Sequence, residues 1–81
     1  MAHTVQDLFA VIADTLKVDV SEVTMDKVIG DIEGWDSLAQ TNLTLAVEKA
    51  FSFSFTVDEL IEIEGVEDFV EIMAERGIIE K

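Results

Sequence analysis

The chain has 81 residues and carries eighteen acidic against five basic side chains, a formal net charge of −13. Such a charge repels phosphate backbones and anionic lipid heads and attracts basic protein surfaces, so nucleic acid is excluded as a partner. The length excludes a large enzyme with a deep cleft and fits one small domain, read as 1–81, that buries roughly 60% of its unfolded surface. Hydrophobic residues at 49%, four Gly and no Pro suit a compact helical fold and argue against disorder.

Val5, Leu8, Phe9, Ile12 and Leu16 recur at helical spacing, with Thr4 and Asp7 placed as an N-cap and its partner three residues on. They predict a first helix over about 4–17. His3, the only histidine, precedes it in a stretch expected to fray, which removes His-dependent triads and His metal sites. The segment from Val18 to Trp35 is long for a connection in a compact domain. Val18, Val20, Val23, Met25, Val28, Ile29, Ile32 and Trp35 are spread through it, so it is expected to lie along the bundle as an apolar-anchored loop with a helical turn near Ser21.

Asp36 or Ser37 can cap a second helix that ends near Phe51. Phe51, Phe53 and Phe55 alternate with serines as a strand would, but no second run exists to pair with them, so they read as the helix exit and a loop. Thr56 with Glu59 forms a capping box for a short third helix. Val66, Phe69, Val70 and Met73 mark one face of a fourth, with Glu67, Asp68, Glu71 and Glu75 turned outward and Gly77 as its stop. The fold class is therefore all-α, a four-helix bundle of three longer helices and one short.

The chain has no Cys, so disulfides, Cys-ligated zinc and a thiol nucleophile of its own are excluded. The longest apolar run, Leu8 to Ala13, cannot span a membrane, and Met1 to Asp7 lacks the basic start of a signal peptide. The expected location is the cytoplasm and the expected state a monomer.

The second helix carries two apolar stripes. Leu43, Val47 and Phe51, joined by Ala46, share one side, while Leu38 and Leu45 fall nearly opposite with Thr41 and Asn42 between them. Either the helix is buried on both sides, or Leu38 and Leu45 form an exposed docking face beside Ser37. Ser37 stands where the loop Gly30-Asp31-Ile32-Glu33-Gly34-Trp35 meets the helix, with the helix dipole favouring a phosphate attached to its hydroxyl. Asp36-Ser37 by itself is no more than an ordinary helix start.

Gly34-Trp35-Asp36-Ser37-Leu38, followed by a helix containing Leu43, Leu45, Ala46, Glu48 and Phe51, resembles the phosphopantetheine attachment motif of the acyl carrier protein family. The similarity extends over essentially the whole chain, including Asp58 and Glu59 at the start of a short third helix. It implies a carrier and no enzyme. By that resemblance a phosphopantetheinyl transferase, with magnesium and coenzyme A, would esterify Ser37 with 4′-phosphopantetheine, supplying the thiol that the chain lacks. The resemblance assigns Asp36 to the surface read by the transferase and Leu38, Thr41, Asn42, Leu45 and Glu48 to partner contacts. Acyl-activating, elongating or acyl-transferring enzymes of fatty acid, polyketide or related biosynthesis, with basic docking surfaces, would be the further partners.

The sequence departs from carriers of bacterial fatty acid synthesis, which usually bear several acids along the second helix. Here Ala39, Asn42, Lys49 and Ala50 leave Glu48 as its only carboxylate after Ser37. Thr56 also replaces a proline common in many relatives. These departures resemble stand-alone carriers devoted to a particular pathway. An unmodified acidic helical interaction module is the alternative. Calcium sensing by Asp26, Asp31, Glu33 and Asp36 fails the ligand spacing of a calcium loop.

Overall fold

The computed structural model describes residues 3–81; Met1 and Ala2, where the domain start and part of the signal-peptide reading fall, lie outside the described residues. Four α-helices are formed: α1 (Val5–Leu16), α2 (Ser37–Phe51), α3 (Val57–Glu62) and α4 (Val66–Glu75). A 3-10 turn at Val20–Glu22 stands where a helical turn was expected near Ser21. Two strands of two residues each, β1 (His3–Thr4) and β2 (Ile79–Glu80), pair in parallel with His3 opposite Ile79 and Thr4 opposite Glu80.

The caps follow from the residues foreseen. The Thr4 hydroxyl accepts the Asp7 amide proton and the Asp7 carboxylate accepts that of Thr4, closing a capping box on α1. Thr56 and Glu59 do the same for α3. Lys17 and Ser52 end α1 and α2 in the left-handed conformation, with φ of 59° and 55°. The Asp19 carboxyl, which caps the 3-10 turn, is held below the usual carboxylate range by the Ser21 amide N–H.

Leu8, Ile12, Leu43, Val47, Val66, Phe69, Val70 and Met73 are fully buried and form the centre of the core. The loop between α1 and α2 is anchored in it by Val23, Ile32 and Trp35, whereas Val20, Met25 and Val28 are exposed. An antiparallel bridge between Val28 and Gly65 ties the loop to the start of α4. In α3 no residue is buried. Polar ties hold this short helix: Arg76 donates to the Ser54 carbonyl at 2.7 Å and to Glu59 at 3.0 Å, with its guanidinium 5.4 Å from the Phe53 ring centroid.

One expectation is corrected at the ends of the chain. His3 is not part of a fraying stretch: it pairs with Ile79, and its ring meets Phe51 edge-on at 4.8 Å between centroids. Phe51 closes α2 as expected, and Phe53 and Phe55 lie in the loop after it, packed edge-on at 4.7 Å.

Candidate functional site at the start of α2

The turn into α2 is fixed before the helix begins. Gly30 donates its N–H to the Trp35 carbonyl at 2.9 Å and Trp35 donates to the Ile32 carbonyl at 3.0 Å. Gly30 and Gly34, with φ of 97° and 86°, supply the left-handed backbone that this tight path requires. The Trp35 side chain is 1% exposed, so the residue two positions before Ser37 is locked in the core.

Asp36, in extended conformation, is the N-cap: its Oδ1 accepts the Ala39 amide proton at 2.8 Å, and its carbonyl accepts that of Gln40 at 2.9 Å. This decides between the two possible caps and leaves Ser37 as the first residue of the helix, exposed to solvent. The amides of Ser37 and Leu38 donate to no protein acceptor among the described residues. An exposed primary hydroxyl beside two free amides, at the positive end of a 15-residue helix, suits a phosphate ester.

The two stripes of α2 separate as core and surface. Leu43 and Val47 are fully buried, Phe51 nearly so, and Ala46 half-buried. Leu38 is 80% and Leu45 57% exposed, with Thr41 and Asn42 exposed between them. Glu48, which the resemblance assigns to partner contacts, has a structural bond of its own. It is half-buried and its Oε2 accepts the Phe55 amide proton at 2.7 Å, because the chain leaving α2 turns back alongside the helix and needs an acceptor there. After Asp36, α2 therefore presents no fully exposed carboxylate, only the cation Lys49.

Two polar residues were missed by sequence reasoning. Gln40 accepts the Trp35 indole proton at 2.7 Å through Oε1 and donates from Nε2 to the Ile63 carbonyl at 3.2 Å. The signal available was an amide side chain one turn and a half after the only tryptophan. Thr44 is buried and donates its hydroxyl to the Thr41 carbonyl at 2.9 Å, the usual way a threonine is satisfied inside a helix. Among the described residues no cluster of three or more His, Asp or Glu side chains is arranged to hold a metal ion. No described helix is long and apolar enough to cross a membrane.

Residues 6–73 match the family model described as the phosphopantetheine attachment site. The chain belongs to that family. It is 35% identical to the acyl carrier protein of Coprothermobacter proteolyticus over 84% of this chain and 83% of that one. It is 39% identical to the acyl carrier protein of Petrotoga mobilis, covering 82% of this chain and 78% of the relative. To the acyl carrier protein MbtL of Mycolicibacterium paratuberculosis it is 36% identical, over 82% and 74% respectively. Its role is that of an acyl carrier and not of an enzyme, and its cofactor is 4′-phosphopantetheine. Such a role implies partner enzymes that load the carrier and take its cargo.

Proposed function

We propose that Ser37 is the residue on which this carrier holds 4′-phosphopantetheine, and that partner enzymes dock on the face formed by Leu38, Thr41, Asn42 and Leu45. The observation that carries this reading is the setting of Ser37: an exposed hydroxyl on a backbone held by the buried Trp35 two residues before it and by the Asp36 cap, whose carboxylate reaches past Ser37 to the Ala39 amide. In the loading reaction the Ser37 Oγ–P bond forms as a pyrophosphate P–O bond of coenzyme A breaks, the nucleotide half leaves, and the hydroxyl proton passes to the transferase. Ser37 presents the oxygen, the free amides beside it accommodate the added negative charge, and the Asp36 carboxylate stands next to it for the transferase to read. The attached group supplies a thiol that carries acyl groups as thioesters.

The composition of α2 supports a dedicated biosynthetic pathway over housekeeping fatty acid synthesis. A strongly basic partner surface finds no fully exposed carboxylate on α2 beyond Asp36, and Glu48 already holds Phe55. Partners therefore meet a largely neutral, apolar α2 face, with the exposed acids Asp58, Glu62 and Glu64 at and beside α3 left for any basic rim. The carrier works as a single domain and a monomer in the cytoplasm.

Incubation with coenzyme A, magnesium and a phosphopantetheinyl transferase tests the assignment. The protein should gain the mass of one phosphopantetheine, located at Ser37 by fragmentation, and Ser37→Ala should gain none. Modification that persists in Ser37→Ala, or an unaltered protein that is never modified, would overturn it.

A further inference from the structure

The Trp35 indole N–H can only donate and the Ile63 carbonyl can only accept, so the residue between them must offer one acceptor and one donor at once. Gln40 does both, at 2.7 Å and 3.2 Å. A carboxylate could not donate to the carbonyl and an ammonium could not accept from the indole, whereas the Gln40 amide does both and is long enough to reach both groups. Gln40 also donates its backbone N–H to the Asp36 carbonyl, so the same residue reaches back across Ser37 twice, once to each of the two residues before it. Its second amide bond fastens this turn to the C-terminal end of α3, a helix with no buried residue of its own.

We propose that Gln40 is a positioning residue for the modification of Ser37: by clamping the Trp35 indole and the Ile63 carbonyl it fixes the turn from which the Ser37 hydroxyl is presented. Gln40 is half-buried and need not touch the cofactor or the transferase. It acts through Trp35, whose backbone carries the hydrogen bonds that shape the loop into α2. Loss of the clamp frees the indole proton and the end of α3 together, and the attacking oxygen then samples a wider range of positions. Misplacement on the order of 1 Å costs up to about a hundredfold in such reactions, so a partial loosening is expected to cost about tenfold.

The inference rests on Ser37 being the attachment site, and the test separates the two. Gln40→Met, similar in length but without either hydrogen bond, and Gln40→Glu, which keeps the acceptor for the indole and loses the donor to Ile63, are assayed as transferase substrates beside the unaltered protein. Gln40→Met is expected to lower kcat about tenfold with KM within about twofold, since Leu38, Thr41, Asn42 and Leu45 are untouched. Gln40→Glu is expected to lose less than Gln40→Met. In parallel, the Trp35 indole proton, a single resonance in this chain, should exchange with solvent faster in Gln40→Met and stay protected in Gln40→Glu. An unchanged kcat in Gln40→Met, or an effect confined to KM, overturns the positioning role while leaving Ser37 as the site. Should Gln40→Met fail to fold, Gln40→Glu decides through the same kcat: a wild-type value overturns the clamp as proposed, a reduced one upholds it. Absence of modification in the unaltered protein removes the attachment site itself, and the inference with it.

Discussion

The Glu48 carboxylate accepts the Phe55 amide proton at 2.7 Å, tying the last turns of α2 to the chain that leads into α3. Phe55 is buried, and the Glu48 carboxylate is the acceptor its N–H finds, so truncating Glu48 removes that bond. An unsatisfied buried donor costs about 1–3 kcal/mol. Glu48→Ala should therefore lower the stability by that amount in denaturant titrations, and Glu48→Gln, which retains an acceptor oxygen, should recover part of it. Full stability in Glu48→Ala would return Glu48 to the role of a free docking carboxylate.

The assignment of the α2 cap distinguishes two adjacent residues. Asp36 supplies the capping oxygen and Ser37 does not, so Asp36→Ala should cost about 1 kcal/mol while Ser37→Ala stays within about 0.5 kcal/mol of the parent. Thermal midpoints of the two variants, measured side by side, check this. A larger loss in Ser37→Ala than in Asp36→Ala would mean that the hydroxyl carries a structural bond absent here.

Leu43 and Leu45 lie two residues apart on one helix with exposures of 0% and 57%. Leu43→Ala should leave a cavity and cost about 2–5 kcal/mol, a large share of what a small domain possesses. Leu45→Ala should change stability by less than about 1 kcal/mol and slow transferase modification or transfer to a partner enzyme. Denaturant midpoints beside modification rates decide between core and docking face, and equal destabilisation by both would move the face elsewhere.

Much of the fold was legible because the long helices obey a period and their caps are written in single residues. Thr4 with Asp7, Thr56 with Glu59, and the alternation of Leu43 and Val47 against Leu38 and Leu45 each follow from local chemistry or a helical turn. The loop between α1 and α2 has no period, so its apolar content announced anchoring without saying which residues anchor: Ile32 and Trp35 are buried, Met25 and Val28 are not. The β1 and β2 pair is two residues long and joins opposite ends of the chain, which no window along the sequence can reveal. At the candidate site the exposed Ser37 and the Leu38 and Leu45 stripe were readable, whereas Gln40 and Glu48 were not. Both are polar residues on a helix that by pattern should face water, and both are turned to backbone groups or side chains brought there only by the tertiary fold.

Charge bears on stability as well as on partners. Among the described residues the acids find few cations: the one ion pair with a lysine or arginine is that of Arg76 with Glu59 at 3.0 Å. With a net charge of −13, self-repulsion works against the compact state. Added monovalent salt or millimolar divalent cation should raise Tm at neutral pH by screening or by loose association with the folded surface. A Tm indifferent to both would show that the acids are spaced widely enough for repulsion not to matter.

Gly65 tests whether the loop between α1 and α2 depends on its bridge to α4. The backbone there is extended, with φ of −156°, so an alanine meets no conformational objection. The obstacle is space: a Cβ would stand 2.8 Å from the Lys27 carbonyl oxygen and 2.8 Å from Val28 Cγ1. The carbonyl cannot give way, because it accepts the Val66 amide proton at 2.9 Å, next to the bond from the Ile29 N–H to the Glu64 carbonyl at 2.9 Å. Gly65→Ala should therefore push the two segments apart and cost about 1–3 kcal/mol through overpacking. Hydrogen exchange at Ile29 and Val66 should quicken with it, since those are the bonds the added methyl opens. Gly77→Ala is the control: a Cβ there meets nothing within 4 Å, and only the left-handed φ of 73° opposes it. It should cost about 1 kcal/mol while leaving exchange at Ile29 and Val66 as in the parent. If Gly65→Ala matched the parent in both stability and exchange, the close approach of the loop to α4 would not be what holds the loop, and its anchoring would fall to Val23, Ile32 and Trp35 alone.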